Sequence, residues 1–449
     1  METWPKLFAP KNLRESDLWG EVASIASPND FKPTIGVFDD KELVLFAAHE
    51  HFESSYHFGE DQTFSHVAHI VMYQSQDGGK NWKCRGHIGN NGKPFTGVGE
   101  PFVTIIDNVL FLSAGTSLYR SEDKGVTWEE IPFDCKSLGL QEGDLPFPSR
   151  NFIKLKDGAI ACTVWVIGAD RKHGIVLRMT SKDSGKTWEH TVAREEAAFT
   201  GGYTHTSMCE AVLFRSPKSD RLMAVSRIVW SRLTEETLAK ITHPVKEDKE
   251  SDIDQTAGML LMESEDEGLT WKPVRGLGYR GMMYPGVVYC NDSDFILTYT
   301  QRVSSTDSPY PHIGVQAILG HENDDGTFDL DFEKDVIIID DRTPDYSTEG
   351  GCYGVTRILP DGTFITPYSY RVNTKELDQK LQDGTFASDE TFWHYFETTG
   401  MHAHCPHYGI FRDATNDLKK HLIVACFAKE RSESRLLTGV LRWGFRLSQ

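Results

Sequence analysis

Lys32, Glu100, Arg150, Glu210, Tyr284 and Tyr353 share one position: each heads an apolar stretch that runs through a turn into a second apolar stretch. The segments read KPTIGVFDDKELVLFAA, EPFVTIIDNVLFLSA, RNFIKLKDGAIACTVW, EAVLFRSPKSDRLMAVSR, YPGVVYCNDSDFILTYTQR and YGVTRILPDGTFITPYSYR. None of the six heads is a typical core residue, and Lys32, Glu100 and Tyr284 are each followed by proline. The second stretches end near HEHFE (His49 to Glu53), Trp165, Arg227, Arg302, Tyr368 and Tyr370. If heads and ends meet at one rim, Lys32, Arg150, Arg227 and Arg302 form a positive patch, the chemistry that binding a carboxylate requires. Glu100, Tyr284, His49, His51 and Tyr368 complete its polar and aromatic lining. A second reading stays open, in which Glu100 and Glu210 neutralise the arginines in a purely structural ion network.

Seventeen histidines include His49, His51, His57, His66 and His69 near the first segment, and His394, His402, His404 and His407 in FWHYFETTGMHAHCPHYG. HAHCPH is not a standard zinc spacing, so no cofactor is expected. A metal, if bound, would draw on His49, His51, His402, His404 or His407. Roles in ligand contact or proton transfer suit these side chains better. The eight cysteines stand singly, with no CxxC pair, and read as buried thiols.

The elements that must hold the six heads in place announce themselves by repetition. SQDGGKNW from Ser75, SEDKGVTW from Ser121, SKDSGKTW from Ser181 and SEDEGLTW from Ser264 repeat the pattern SxDxGxxW. Each follows an alternating apolar stretch and precedes a short polar-apolar run, which is a hairpin signature. The Asp accepts hydrogen bonds from its own turn, the Gly supplies positive φ, and the Trp tucks about 150–250 Å² of surface against its blade. These octapeptides are therefore expected to be staples without chemistry. Their starts lie 46, 60 and 83 residues apart, a spacing that suits four-stranded propeller blades with variable loops. A worn copy, ENDDGTF, begins at Glu322. Six segments predict six blades in a single all-β domain spanning 1–449, with the boxes on the rim opposite the pocket. Val372 to Pro406 carries few strand signals and reads as an insertion capping that pocket. LLTGVLRWGF reads as a closing strand, and N-terminal GEVASIA as the strand completing the last blade.

Composition bounds the function classes. With 39% hydrophobic and 11% aromatic residues the chain can bury a large core. A formal charge of −19 argues against broad nucleic-acid binding. No run approaches the roughly 18 apolar residues of a membrane span, and METWPKLFAP lacks the features of a secretory signal. The expected location is cytoplasmic, or secreted if a signal has been removed.

The boxes, together with CEAVLFRSPKSDRLMAVSR and GGCYGVTRILPDG, resemble the sialidase (neuraminidase) superfamily and its Asp-box (BNR) six-bladed propeller over nearly the whole chain. The resemblance implies an exo-glycosidase, a hydrolase of carbohydrate metabolism, working with retention on an anionic sugar such as sialic acid or a related acidic glycan. It maps Glu210 and Arg227 onto a Glu that opens one strand and a triad Arg that ends the next, and Tyr353 onto the nucleophile. The Tyr hydroxyl would attack the anomeric carbon while Glu210 takes its proton, a known tyrosine exception among retaining glycosidases. The first blade departs from the pattern, with Lys32 where the family has Arg. Arg302, at the end of the preceding strand, is the available substitute for the third triad Arg. The family's acid Asp falls near Phe64, leaving Glu60 and Asp61 as the nearest carboxylates. Two other functions remain open: a propeller lyase abstracting a proton beside a neutralised uronate, and a non-catalytic carbohydrate-binding propeller.

Overall fold

A computed structural model describes residues 4–25, 30–38, 42–51, 67–90, 93–95, 100–114, 117–169, 174–195, 208–229, 257–279, 281–302, 308–343, 355–373 and 434–446. Secondary structure there is almost entirely β.

Six antiparallel four-stranded units follow one another along the chain. Blade 1 is Asp30–Val37, Leu43–His51, Val67–Ser75 and Lys83–His87. Blade 2 is Pro101–Ile106, Val109–Ala114, Ser117–Ser121 and Glu129–Ile131. Blade 3 opens on a broken strand, Leu145–Pro148 and Ile153–Lys154, and continues with Ile160–Ile167, Gly174–Ser181 and Glu189–Glu195. Blade 4 is Val212–Arg215, Leu222–Val229, Ala257–Ser264 and Thr270–Leu277. Blade 5 is Met282–Tyr289, Asp294–Gln301, Gly314–Glu322 and Val336–Asp340, with Lys6–Phe8 added outside. Blade 6 is Arg357–Ile358, Phe364–Asn373, Ser434–Phe445 and, from the start of the chain, Leu18–Ile25. The fold is a six-bladed β-propeller. GEVASIA closes the last blade as the sequence predicts, while the region expected to cap the pocket lies, beyond Asn373, outside the described residues.

The first strand of each blade leaves one rim and the second returns to it, so the turn after the third lies at the opposite rim. The Asp boxes occupy that far rim. In all four, the Ser hydroxyl donates to the Asp at 2.8–2.9 Å and accepts the Gly amide at 2.8–2.9 Å.

The partner of the box Trp differs from expectation. Trp271, 0% exposed, packs among Leu155, Ala159 and Val176 of blade 3 as well as Leu260 and Met262 of its own blade 4. Trp128 stands edge-on to Phe46 of blade 1. Trp82 packs against a cluster that joins Leu43 and Tyr73 of its own blade to Leu359 and Ile365 of blade 6. Each box therefore rivets its blade to the preceding one, because blades bury their faces on neighbours rather than on themselves. Gly185, at φ +82°, lies so close to Phe111 of blade 2 that an added Cβ would come within 2.3 Å of the ring. At the ring closure, Arg442 of blade 6 donates from Nε to the Gly78 carbonyl of the blade 1 box at 2.8 Å.

Candidate functional site at the channel mouth

Lys32, Arg150, Glu210 and Tyr284 stand at backbone irregularities rather than in regular strand. Lys32 and Tyr284 occupy β-bulges, where register shifts between Phe31 and Thr34 and between Met283 and Gly286. Arg150 occupies the break in the first strand of blade 3. Lys32, Glu210 and Tyr284 have left-handed φ of 53°, 48° and 54°. Bulges re-aim side chains, and unfavourable backbone angles persist where surrounding structure enforces them.

Re-aimed in this way, the heads converge across blades. Lys32 Nζ of blade 1 lies 2.7 Å from Glu100 Oε1 of blade 2. Arg150 Nη2 of blade 3 lies 3.3 Å from Glu100 Oε2 and 2.6 Å from Glu210 Oε2 of blade 4. Arg227 Nη2, at the end of the next strand, lies 3.1 Å from Glu210 Oε1. The result is a chain of alternating charge with a cation at each end. Arg302 Nη1 donates to the Tyr284 hydroxyl, and the Tyr284 ring lies 4.2 Å from the Arg150 guanidinium. Arg150 also meets the Phe102 ring at 4.8 Å. Burial alone would raise the Glu100 carboxyl, but Lys32 first and Arg150 next outweigh it and hold it at about 2. Glu100 in turn outweighs the burial that would lower Lys32, and its ammonium is raised above the ordinary value.

Two backbone bonds fix Glu210 from either side. The Arg150 amide donates to the Ala211 carbonyl at 2.8 Å, and the Arg227 amide to the Cys209 carbonyl at 3.0 Å. The same two arginines that engage its carboxylate thus pin its main chain. Cys209 is not a thiolate nucleophile, since burial pushes its thiol up to about 12 despite Arg227 nearby.

Not every expected residue reaches the mouth. Tyr368 is 1% exposed, and its hydroxyl accepts from Arg342 Nη2 at 2.6 Å, so it stands behind the wall instead of lining it. Arg342 itself was not expected. It ion-pairs with Asp340 and stacks on the Tyr370 ring at 3.6 Å; in sequence it sits in DDRTPD, which reads as a solvated turn. His49 and His51 are placed as backbone of the second strand of blade 1, with side chains outside the described set. Tyr353, Asp61, His402, His404 and His407 lie outside the described residues. Among the described residues no cluster of His, Cys, Asp and Glu is arranged to hold a metal, and no helix is long and apolar enough to cross a membrane.

A cleft of about 540 Å³ lies elsewhere, on the flank between blades 4 and 5. Its acidic side chains are engaged locally: Asp294 with His321 at 2.7 Å, Glu333 with the Tyr279 hydroxyl at 2.9 Å, Asp331 with Lys334 at 3.0 Å. Convergent chemistry from several blades is found at the mouth, not there.

No family model and no curated protein matches the sequence. Among solved structures the chain is similar to a protein of unknown function from Dyadobacter fermentans, at 16% identity and TM-score 0.52, over 79% of this chain and 95% of that one. The likeness is one of fold. Lower in similarity are an α-L-arabinanase from Penicillium chrysogenum complexed with arabinobiose (14% identity, TM-score 0.46, 81% and 94% covered) and a Hadza microbial sialidase (14%, 0.44, 76% and 63%). The neighbours thus include glycoside hydrolases.

Proposed function

We propose that the protein is a sialidase-like exo-glycosidase that hydrolyses, with retention, the glycosidic bond of an anionic sugar such as sialic acid or a related acidic glycan. The observation that carries the proposal is the connected cluster at the channel mouth. Four cations, Lys32, Arg150, Arg227 and Arg302, stand there against two carboxylates, Glu100 and Glu210, among the described residues. A net positive mouth in a chain of formal charge −19 attracts and orients a carboxylate-bearing ligand.

Glu100 and Glu210 both contact one nitrogen of Arg150, which keeps their nearest oxygens within roughly 6 Å, close to the spacing of a retaining carboxylate pair. Such a pair needs one carboxyl to carry a proton near neutral pH. Glu100, paired with Lys32 and Arg150 and held at about 2, does not. These contacts support an electrostatic role for Glu100 and favour Tyr353 as nucleophile, with Glu210 receiving its proton and Asp61 in the acid role. A phenol also spares the substrate's carboxylate a second approaching anion.

A lyase is the second reading, favoured by the Tyr284 phenol lying between the guanidinium groups of Arg302 and Arg150. Sialyl and uronate oligosaccharides, followed by reducing-sugar release and by near-ultraviolet absorbance, separate the two: hydrolysis gives the first signal alone, elimination adds the second. With the active glycan in hand, Tyr353→Phe is expected to lower kcat at least about 100-fold with little change in KM, and Arg227→Ala to raise KM about tenfold. Wild-type turnover by Tyr353→Phe, or no product from any acidic glycan, overturns the proposal.

A further inference from the structure

We infer that Arg150 is a positioning residue: its guanidinium, packed against the Phe102 and Tyr284 rings, sets the spacing of Glu100 and Glu210 and leaves the ligand's anion to Lys32 and Arg227. The inference deepens the proposed function and rests on it for the identity of the ligand.

Depth separates the cations. The Arg150 side chain is 2% exposed, against 26% for Lys32 and 13% for Arg227, while Glu100 and Glu210 are 20% and 18% exposed. Rings from blades 2 and 5, Phe102 at 4.8 Å and Tyr284 at 4.2 Å, pack against the guanidinium. Its edge holds both carboxylates through Nη2. A ligand approaching from the mouth meets the two ends of the charge chain, Lys32 and Arg227, before it could meet Arg150. Lys32 and Arg227 are joined through the same chain of ion pairs, Lys32 to Glu100 at 2.7 Å and Arg227 to Glu210 at 3.1 Å.

Without Arg150, two carboxylates would face each other within roughly 6 Å with no shared cation, and like charges at that range disfavour joint ionisation. The residue that prevents this does so by fixing geometry and charge, with no need to touch substrate. Arginine suits the task because a planar guanidinium can stack on rings while it donates along its edge.

The test uses full-length protein labelled with ¹³Cδ-glutamate, the Glu100 resonance being assigned by its loss in Glu100→Gln. In Arg150→Met the Glu100 titration midpoint is expected to rise by about one unit or more, with partial restoration in Arg150→Lys. Calorimetry with N-acetylneuraminic acid and with glucuronic acid should give a Kd within about threefold of wild type for the charge-conserving Arg150→Lys, and about tenfold weaker for Arg227→Ala. An unmoved Glu100 midpoint overturns the inference, and so does an affinity loss in Arg150→Lys equal to that of Arg227→Ala. If Arg150→Met does not fold, Arg150→Lys decides on the same two readings. If neither acid binds the wild type, the proposed ligand class fails, while the Glu100 titration still decides whether Arg150 positions the pair.

Discussion

Lys32, Glu210 and Tyr284 carry a charge or a phenol into the mouth from backbone angles that glycine alone adopts freely. Such angles typically cost about 1–3 kcal/mol each, and they persist where neighbours over-determine them. Glu100 returns part of that stability. Its carboxyl lies at about 2 rather than the ordinary 4.5, so its contribution is complete above about pH 4.5 and is lost as pH falls towards 2. The whole difference corresponds to about 3 kcal/mol, of which roughly 2 kcal/mol should disappear between pH 5 and pH 3. Urea unfolding at those two pH values should therefore show a steeper loss in wild type than in Glu100→Gln. Equal losses would mean that Lys32 and Arg150 do not hold this carboxyl down. Which residues head the strands is legible in the sequence, because Lys32, Glu100, Arg150 and Glu210 stand where apolar residues would otherwise begin. Their depth is not: Arg150 and Arg227 read alike along the chain, and contacts from Phe102 and Tyr284, distant in sequence, bury one and not the other.

At the scale of the element, the Asp boxes divide their work between a turn and a joint. The turn is local and was readable, since Ser, Asp and Gly bond to one another within five residues. The joint is not local, and the octapeptide cannot reveal that its Trp belongs to the preceding blade. Joint quality varies: Trp271 is 0% and Trp128 5% exposed, whereas Trp82 and Trp188 are half-buried. Trp271→Ala should cost about 3–5 kcal/mol in denaturant unfolding, with Trp128→Ala close behind and Trp82→Ala and Trp188→Ala clearly smaller. Affinity for an acidic sugar should be unchanged in the folded fraction, because the boxes lie on the far rim. Weakened binding with intact stability would contradict the staple role. The worn fifth box keeps its blade joined by other means: Glu322, in the place of the Ser, is 0% exposed and accepts from Ser216 of blade 4 at 2.5 Å and from Tyr289 at 2.9 Å.

At the scale of the molecule, the start of the chain serves two blades at once. Lys6–Phe8 extends blade 5 and Leu18–Ile25 completes blade 6. Between them, Asp335 accepts the backbone amides of Lys11, Asn12 and Leu13 at 2.6–3.0 Å. Hydrogen bonds to a charged acceptor contribute about 1.5–3 kcal/mol, so Asp335→Ala should lower the unfolding free energy by at least about 2 kcal/mol. Amide exchange should then quicken in Leu18–Ile25 before it does in blades 2 and 3. Uniform protection in that variant would show that the clamp does not secure the closure. This closure has a consequence for synthesis. Leu18–Ile25 is synthesised some 400 residues ahead of its partner Ser434–Phe445. At about 5–20 residues per second, it waits tens of seconds for its mate. Through that interval the nascent chain holds an open edge at each end of an incomplete ring, and the emergence of Ser434–Phe445 decides when the propeller can close.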